Sequence, residues 1–267
     1  MTICIGVVCD NRRRAIFASD RMLTSPGLSV EFEHDEPKHD VLSSSCVGLT
    51  AGEAMPATEL FDEVRANLAT KASPMIKEIA DLVCESFRKC KMKRVEEKYF
   101  RPRHLTIEEY LQAQRHLNEN VVLRLERAIE TSTFGMICLI VGVDKSGAHI
   151  FEVSDPGHSE CYQRIGFQAL GSGLPHAIST FIAHRFTPSI DLKNATYITY
   201  ESKKNAERAP GVGSATDMGI IDEKGIKILS KDDLGKLERI YQERMKVISQ
   251  SIPTIEEMIR ELPFGER

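Results

Sequence analysis

The strongest constraint on this chain is that its strand-forming segments fall into two batches, each followed by helical sequence. Residues 2–9 (TICIGVVC) are apolar or β-branched on both alternating faces, the pattern of a strand covered on both sides. The polar turn Asp10-Asn11-Arg12-Arg13 joins them to residues 14–19 (RAIFAS) as a hairpin. After a Pro26-Gly27 turn, residues 28–33 alternate like a half-exposed strand, and residues 38–42 and 46–51 form a second hairpin around Ser43-Ser44-Ser45. At Gly52 the period changes, and Leu60, Phe61, Val64 and Leu68 recur at helical spacing. The second batch comprises residues 136–144, 149–153 and 162–170, then a helix opened by Pro175 and another over about 192–206. A closing hairpin covers 217–221 and 225–229, and two helical stretches, 233–249 and 255–262, follow. Two sheets packed together with helices outside, an α+β arrangement, fit this order; the strict β-α alternation of a doubly wound fold does not.

Between the batches lies about 72–133, which reads as helical. Ile76, Ile79, Ala80, Val83, Cys84 and Phe87 mark one helix, which runs into a segment with eight basic residues between Arg88 and Arg103. Arg101-Pro102-Arg103 breaks it, because proline lacks the N–H donor and clashes with the preceding turn. Thr106 with Glu109 is a capping box, predicting a third helix to about Ile129.

Composition removes several classes. The 267 residues carry 35 Lys and Arg against 39 Asp and Glu, a net charge of -4, which argues against a dedicated nucleic-acid binder. A solvated helix face or an inter-subunit contact accounts better for the basic run. No apolar run approaches the roughly 20 residues that span a bilayer. No basic segment precedes the apolar residues 1–8 and no small-residue cleavage pattern follows them, so no signal peptide is expected. The seven cysteines are scattered without a Cys-x-x-Cys pair and read as buried thiols of a reducing cytoplasm. Dinucleotide, phosphate-loop and metalloprotease patterns are absent, and the eight histidines are dispersed, so neither cofactor nor metal is expected.

The positive chemical signal is at the amino terminus. Methionine before a small residue is commonly removed, and loss of Met1 would leave Thr2 with a hydroxyl and a free α-amine. That amine, with a pKa of about 7.7–8.0, can accept the hydroxyl proton near neutral pH. Three further elements accompany it: Asp20 after the second strand, Lys38 opening the next hairpin, and Ala51-Gly52 after the adjacent strand.

With these residues the sequence resembles the β-type subunits of the proteasome and the related bacterial proteasome-like peptidase, which are N-terminal-nucleophile (Ntn) hydrolases. Thr2 to Gly6 fits that family's Thr-x-x-x-Gly opening, and Lys38 to Gly52 fits its spacing without a gap. Gly171-Ser172-Gly173 entering a helix and Gly213-Ser214-Ala215-Thr216-Asp217 leading into the closing hairpin are also similar, so the likeness covers about 2–70 and 135–230. The resemblance implies a four-layer αββα sandwich forming a single domain over 1–267, with a helical insertion at about 72–133 and a C-terminal extension at about 231–267. It implies Thr2 as nucleophile, Lys38 favouring its ionised form, Asp20 holding Lys38, the Gly52 N–H stabilising the oxyanion, and Ser172 bonding the terminal amine. Thr50 and Ala54 would line the substrate pocket. The implied activity is hydrolysis of peptide or other amide bonds through an acyl-enzyme, in a cytoplasmic homo-oligomer such as a ring. Family members also carry an Asp and a Ser before the closing strand, where this sequence has Ala209 and Val212. That departure keeps open a non-catalytic assembly subunit on the same fold, and, less strongly, a transpeptidase or small-amide hydrolase.

Overall fold

The first hairpin forms where the alternation predicts it. β1 (Cys4–Cys9) and β2 (Arg14–Ser19) pair antiparallel, with Cys4 opposite Ser19 and Cys9 opposite Arg14. This register brings Ile3 against Asp20, whose N–H donates to the Ile3 carbonyl at 3.2 Å. The computed structural model describes residues 2–25, 30–53, 55–71, 73–262 and 264.

The chain divides into two units, Met1–Ile228 and Leu229–Arg267. In the first unit each of two five-stranded sheets mixes early and late strands. One has the order β10-β1-β2-β11-β12, where β10 is Phe167–Leu170, β11 Asp217–Asp222 and β12 Gly225–Ile228. The other has the order β5-β6-β7-β8-β9, formed by His39–Ser43, Cys46–Gly52, Met136–Asp144, Gly147–Ser154 and His158–Cys161. The first sheet thus joins the opening hairpin to the last three strands, while β5 to β9 run consecutively through the second. Cys4, Val8 and Phe17 of the first sheet share a buried cluster with Val47, Leu49, Leu139 and Val141 of the second, which explains why these strands are apolar on both faces.

The helices α1 (Met55–Leu68) and α2 (Ile76–Val95) bury Leu60, Phe61, Val64, Ile79, Val83 and Phe87 against Cys46, Cys138, Ile140 and Phe151 of the second sheet. A phenylalanine buried this fully contributes about 2–3 kcal/mol of transfer free energy. On the first sheet, α5 (Leu174–Ala183) packs against β10 and α6 (Leu192–Ala206) against β1 and β2. The second unit is built on α7 (Lys231–Arg260), capped by Ser230.

Several elements differ from the sequence-based expectations. The helix predicted from Thr106 to about Ile129 is two: α3 (Ile107–Ala113), with the expected capping box, and α4 (Glu119–Glu130). Asn118 interrupts them by accepting the Asn120 N–H at 3.0 Å, a local bond that competes with helix continuation. The strand expected at 162–170 begins only at Phe167, because Gly166 N–H closes a turn onto the Tyr162 carbonyl at 2.9 Å. The polar edge strand β9 carries no apolar alternation and gave no signal. Instead of two C-terminal helices there is one, running through Pro253; a single missing N–H did not end it. The strand expected at 28–33 lies partly outside the described residues. Its remainder, β4 (Val30–Glu33), pairs with β3 (Met22–Ser25) as a separate ribbon and is exposed at all four positions. Cys161 is exposed, whereas the other six cysteines are buried as expected. Within 72–133, α2 belongs to the main core, while Val95, Phe100, Tyr110 and Leu125 form a small core of their own. Among the described residues no helix is long and apolar enough to cross a membrane.

Candidate active site

Where β1 begins and β2 ends, three sequence-predicted residues converge. Thr2 is only 4% exposed, and its hydroxyl donates to Asp20 Oδ1 at 2.5 Å. Lys38, immediately before β5 of the other sheet, donates from Nζ to Thr2 Oγ1 at 2.5 Å and to Asp20 Oδ1 at 2.8 Å. The pair thus bridges the two sheets. The Lys38 side chain is 11% exposed and that of Asp20 fully buried, so the charges face each other with little water between them. Asp20 is further satisfied by three backbone donors: Ile3 N–H on Oδ1 at 3.1 Å, and Met22 N–H and Gly213 N–H on Oδ2 at 3.3 and 2.8 Å. A buried carboxylate needs such compensation, and here it is complete enough to keep the side chain in one position.

Gly171 explains why the Gly171-Ser172-Gly173 turn lies where it does. Its φ is +100°, and a Cβ there would sit 2.1 Å from the Thr2 carbonyl oxygen. Gly173 N–H donates to that same oxygen at 3.4 Å. The turn therefore grips the backbone of Thr2. The Ser172 hydroxyl, expected to bond the terminal amine, donates to the Pro210 carbonyl at 3.1 Å.

Gly52 ends β6 with φ +110°, and a Cβ there would meet the Gly135 carbonyl oxygen at 2.2 Å. It lines an open cleft of about 420 Å³ with Ala51, Gly135, Met136, Ile137 and Gly171, so the cleft reaches the glycine that abuts Thr2. Thr50 lies on the same strand; its carbonyl accepts a weak bond from the Cys4 thiol at 3.3 Å. By the pleat, its side chain shares the helix-covered face with Cys46 and Gly48. Burial pushes the Cys4 thiol up to about 12, so this neighbour of Lys38 and Asp20 stays protonated and does not compete as a nucleophile. Ala54 lies outside the described residues.

The surrounding shell contains groups the sequence did not announce. Arg21 makes a bidentate pair with Asp217 at 2.8 and 2.6 Å, fixing the start of β11. Glu33 accepts the Ala215 N–H at 2.9 Å. Gly213 acts through its backbone in the loop where Asp and Ser side chains were sought, and Ala209 and Val212 themselves are buried apolar residues. No group of three or more His, Cys, Asp or Glu among the described residues is placed to hold a metal ion.

The chain is 32% identical over 102 residues to a protein of Korarchaeum cryptofilum (strain OPF8) named proteasome subunit beta 1. It resembles a proteasome beta subunit. The match covers 38% of this chain and 48% of that relative, so the chain spans about half the length of the curated relative it matches. No family model matches the chain.

The basic run lies elsewhere. Lys89 pairs with Glu63 and Lys93 with Glu59, both acids on α1, while Arg94 reaches Glu53 and Lys91 reaches Asp155. Arg88 donates to the Gly157 carbonyl. These cations are engaged within the fold, which weakens any reading of them as a nucleic-acid surface.

Proposed function

We propose that the protein is a proteasome-like N-terminal threonine hydrolase that cleaves peptide or other amide bonds through an acyl-enzyme, on the four-layer Ntn sandwich. The observation that carries this reading is the Thr2 hydroxyl held 2.5 Å from both Lys38 Nζ and Asp20 Oδ1 in a nearly water-free corner. The archaeal proteasome subunit supports it at the level of kinship.

When Thr2 heads the chain, its α-amine takes the hydroxyl proton as Oγ bonds the substrate carbonyl carbon. The Lys38 ammonium favours the oxygen that gives up this proton, and Asp20 holds Lys38 in place. The carbonyl becomes a tetrahedral oxyanion, for which the Gly52 N–H is the proposed donor. Collapse breaks the C–N bond, and the amine passes its proton to the leaving nitrogen. Water then attacks the threonine ester, releasing the acid and restoring the hydroxyl. A cytoplasmic homo-oligomer such as a ring is part of this proposal.

A non-catalytic assembly subunit is the second reading, favoured by apolar Ala209 and Val212 where the family has Asp and Ser, and by Ser172 bonding Pro210. Turnover of a fluorogenic peptide library decides between them. Activity that disappears in Thr2→Ala supports the hydrolase; no turnover by the wild type, or turnover that persists in T2A, overturns it.

A further inference from the structure

Lys203 is a lysine in an unusual position. It lies in the last turn of α6 and is 0% exposed. Its Nζ donates to Glu207 Oε1 at 2.6 Å and to the carbonyls of Gly213 and Ser214, each at 2.9 Å. All three ammonium donors thus have acceptors, which is what makes a buried charge tolerable. Burial lowers the pKa of Lys203 while the Glu207 partner opposes that change. The carbonyls it holds flank the peptide unit beyond Gly213, the residue whose N–H donates to Asp20 Oδ2 at 2.8 Å. The backbone of a single residue, Gly213, therefore links the Lys203 clamp to the carboxylate that contacts both Thr2 and Lys38.

We infer that Lys203 is a positioning residue for the Thr2 site: its ammonium fixes the 213–214 backbone so that the Gly213 N–H supports Asp20. This rests on the reading of Thr2 as nucleophile. The geometry also accounts for the absence of Asp and Ser side chains in the preceding loop. Here a tethered cation orders the loop, and a backbone N–H makes the contact with the site. A neutral side chain at 203 leaves two buried carbonyls without their donor, and the loop relaxes by the few tenths of an ångström that a catalytic hydrogen bond does not tolerate.

The test compares wild type, Lys203→Met, Lys203→Gln and, as control, Lys204→Met, the neighbouring cation paired with Glu207. Two readouts are taken per folded molecule: the rate of Thr2 acylation by a β-lactone electrophile as a function of pH, and hydrogen exchange at the Gly213 amide in a Thr2→Ala background. The expected result is acylation about 10- to 100-fold slower in K203M, with a displaced pH profile and faster Gly213 exchange. K203Q, which can still donate to one carbonyl, is expected to fall between, and it carries the test if K203M does not fold. K204M is expected to stay within about threefold of wild type. Equal acylation rates, an unmoved pH profile and unchanged Gly213 exchange in K203M and K203Q, even with a lower Tm, would overturn the inference. If wild type is not acylated at Thr2, the nucleophile reading fails, and Gly213 exchange alone then decides whether Lys203 holds the loop.

Discussion

Residues 88–103 concentrate eight basic side chains in one stretch, whereas the corner around Thr2 draws on two lysines 165 positions apart, Lys38 and Lys203. In the first region Lys91 is mostly buried beside Asp155, but the Lys89 and Lys93 side chains are largely exposed and pair with acids of α1 at the surface. Such pairs are screened by water and salt and contribute little. In the second region both ammonium groups are withdrawn from water and every partner is fixed: Asp20 and Thr2 for Lys38, and Glu207 and two carbonyls for Lys203. Charge density along the sequence therefore points away from the proposed site. What marks that site is the burial of a few charges with fixed partners.

That contrast can be broken at several points. Thr2→Ala carries the largest expected effect, a loss of peptide turnover of about 10³-fold or more, measured as kcat/KM. Next, Lys38→Met removes the ammonium from the Thr2 oxygen and is expected to lower kcat by about 10²- to 10³-fold. Asp20→Ala leaves Lys38 facing a buried corner without its carboxylate, and denaturant unfolding is expected to read a loss of about 3–5 kcal/mol. By comparison, Lys89→Met with Lys93→Met is expected to move Tm by no more than about 2 °C and to leave turnover intact. A large loss in that double variant would mean the basic helix does more than coat the fold. The cysteines extend the comparison to thiol reactivity. Burial pushes the Cys4 thiol up to about 12 and raises those of Cys46 and Cys138 well above the usual thiol value, while Cys161 on the edge strand is exposed. Titration of the native protein with a thiol reagent is expected to modify Cys161 first, and the remaining six only after denaturation.

How much of this was legible in the sequence depends on which physical signal each part leaves. Strands β1, β2, β6 and β7 carry an apolar period visible in one dimension, and they were found. Thr2, Asp20 and Lys38 were singled out by the family resemblance; the register of β1 on β2 brings Thr2 to Asp20, and the packing of the second sheet on the first brings Lys38 to both. Lys203 was not legible. With Glu207 four residues on, it reads as an ordinary surface i,i+4 pair, and only the packing of α6 on the first sheet buries it. Gly213 belongs to the closing motif, but its contribution is a backbone N–H and leaves no mark in residue identity. The Gly171-Ser172-Gly173 turn is similar: the resemblance drew attention to the serine side chain, while the backbone contacts with Thr2 are made by the flanking glycines. The split at Asn118 and the continuation through Pro253 were missed because capping and breaking tendencies of similar size were set against helix propagation, and sequence alone does not weigh them.

The central claim is that Thr2 is the nucleophile, freed by loss of Met1. Intact mass before and after treatment with a threonine-directed β-lactone, followed by peptide mapping, reports both conditions in one sample. The account predicts a protein lighter by one methionine that gains a single adduct on the peptide beginning at Thr2. A protein that retains Met1 and gains no adduct there would contradict it.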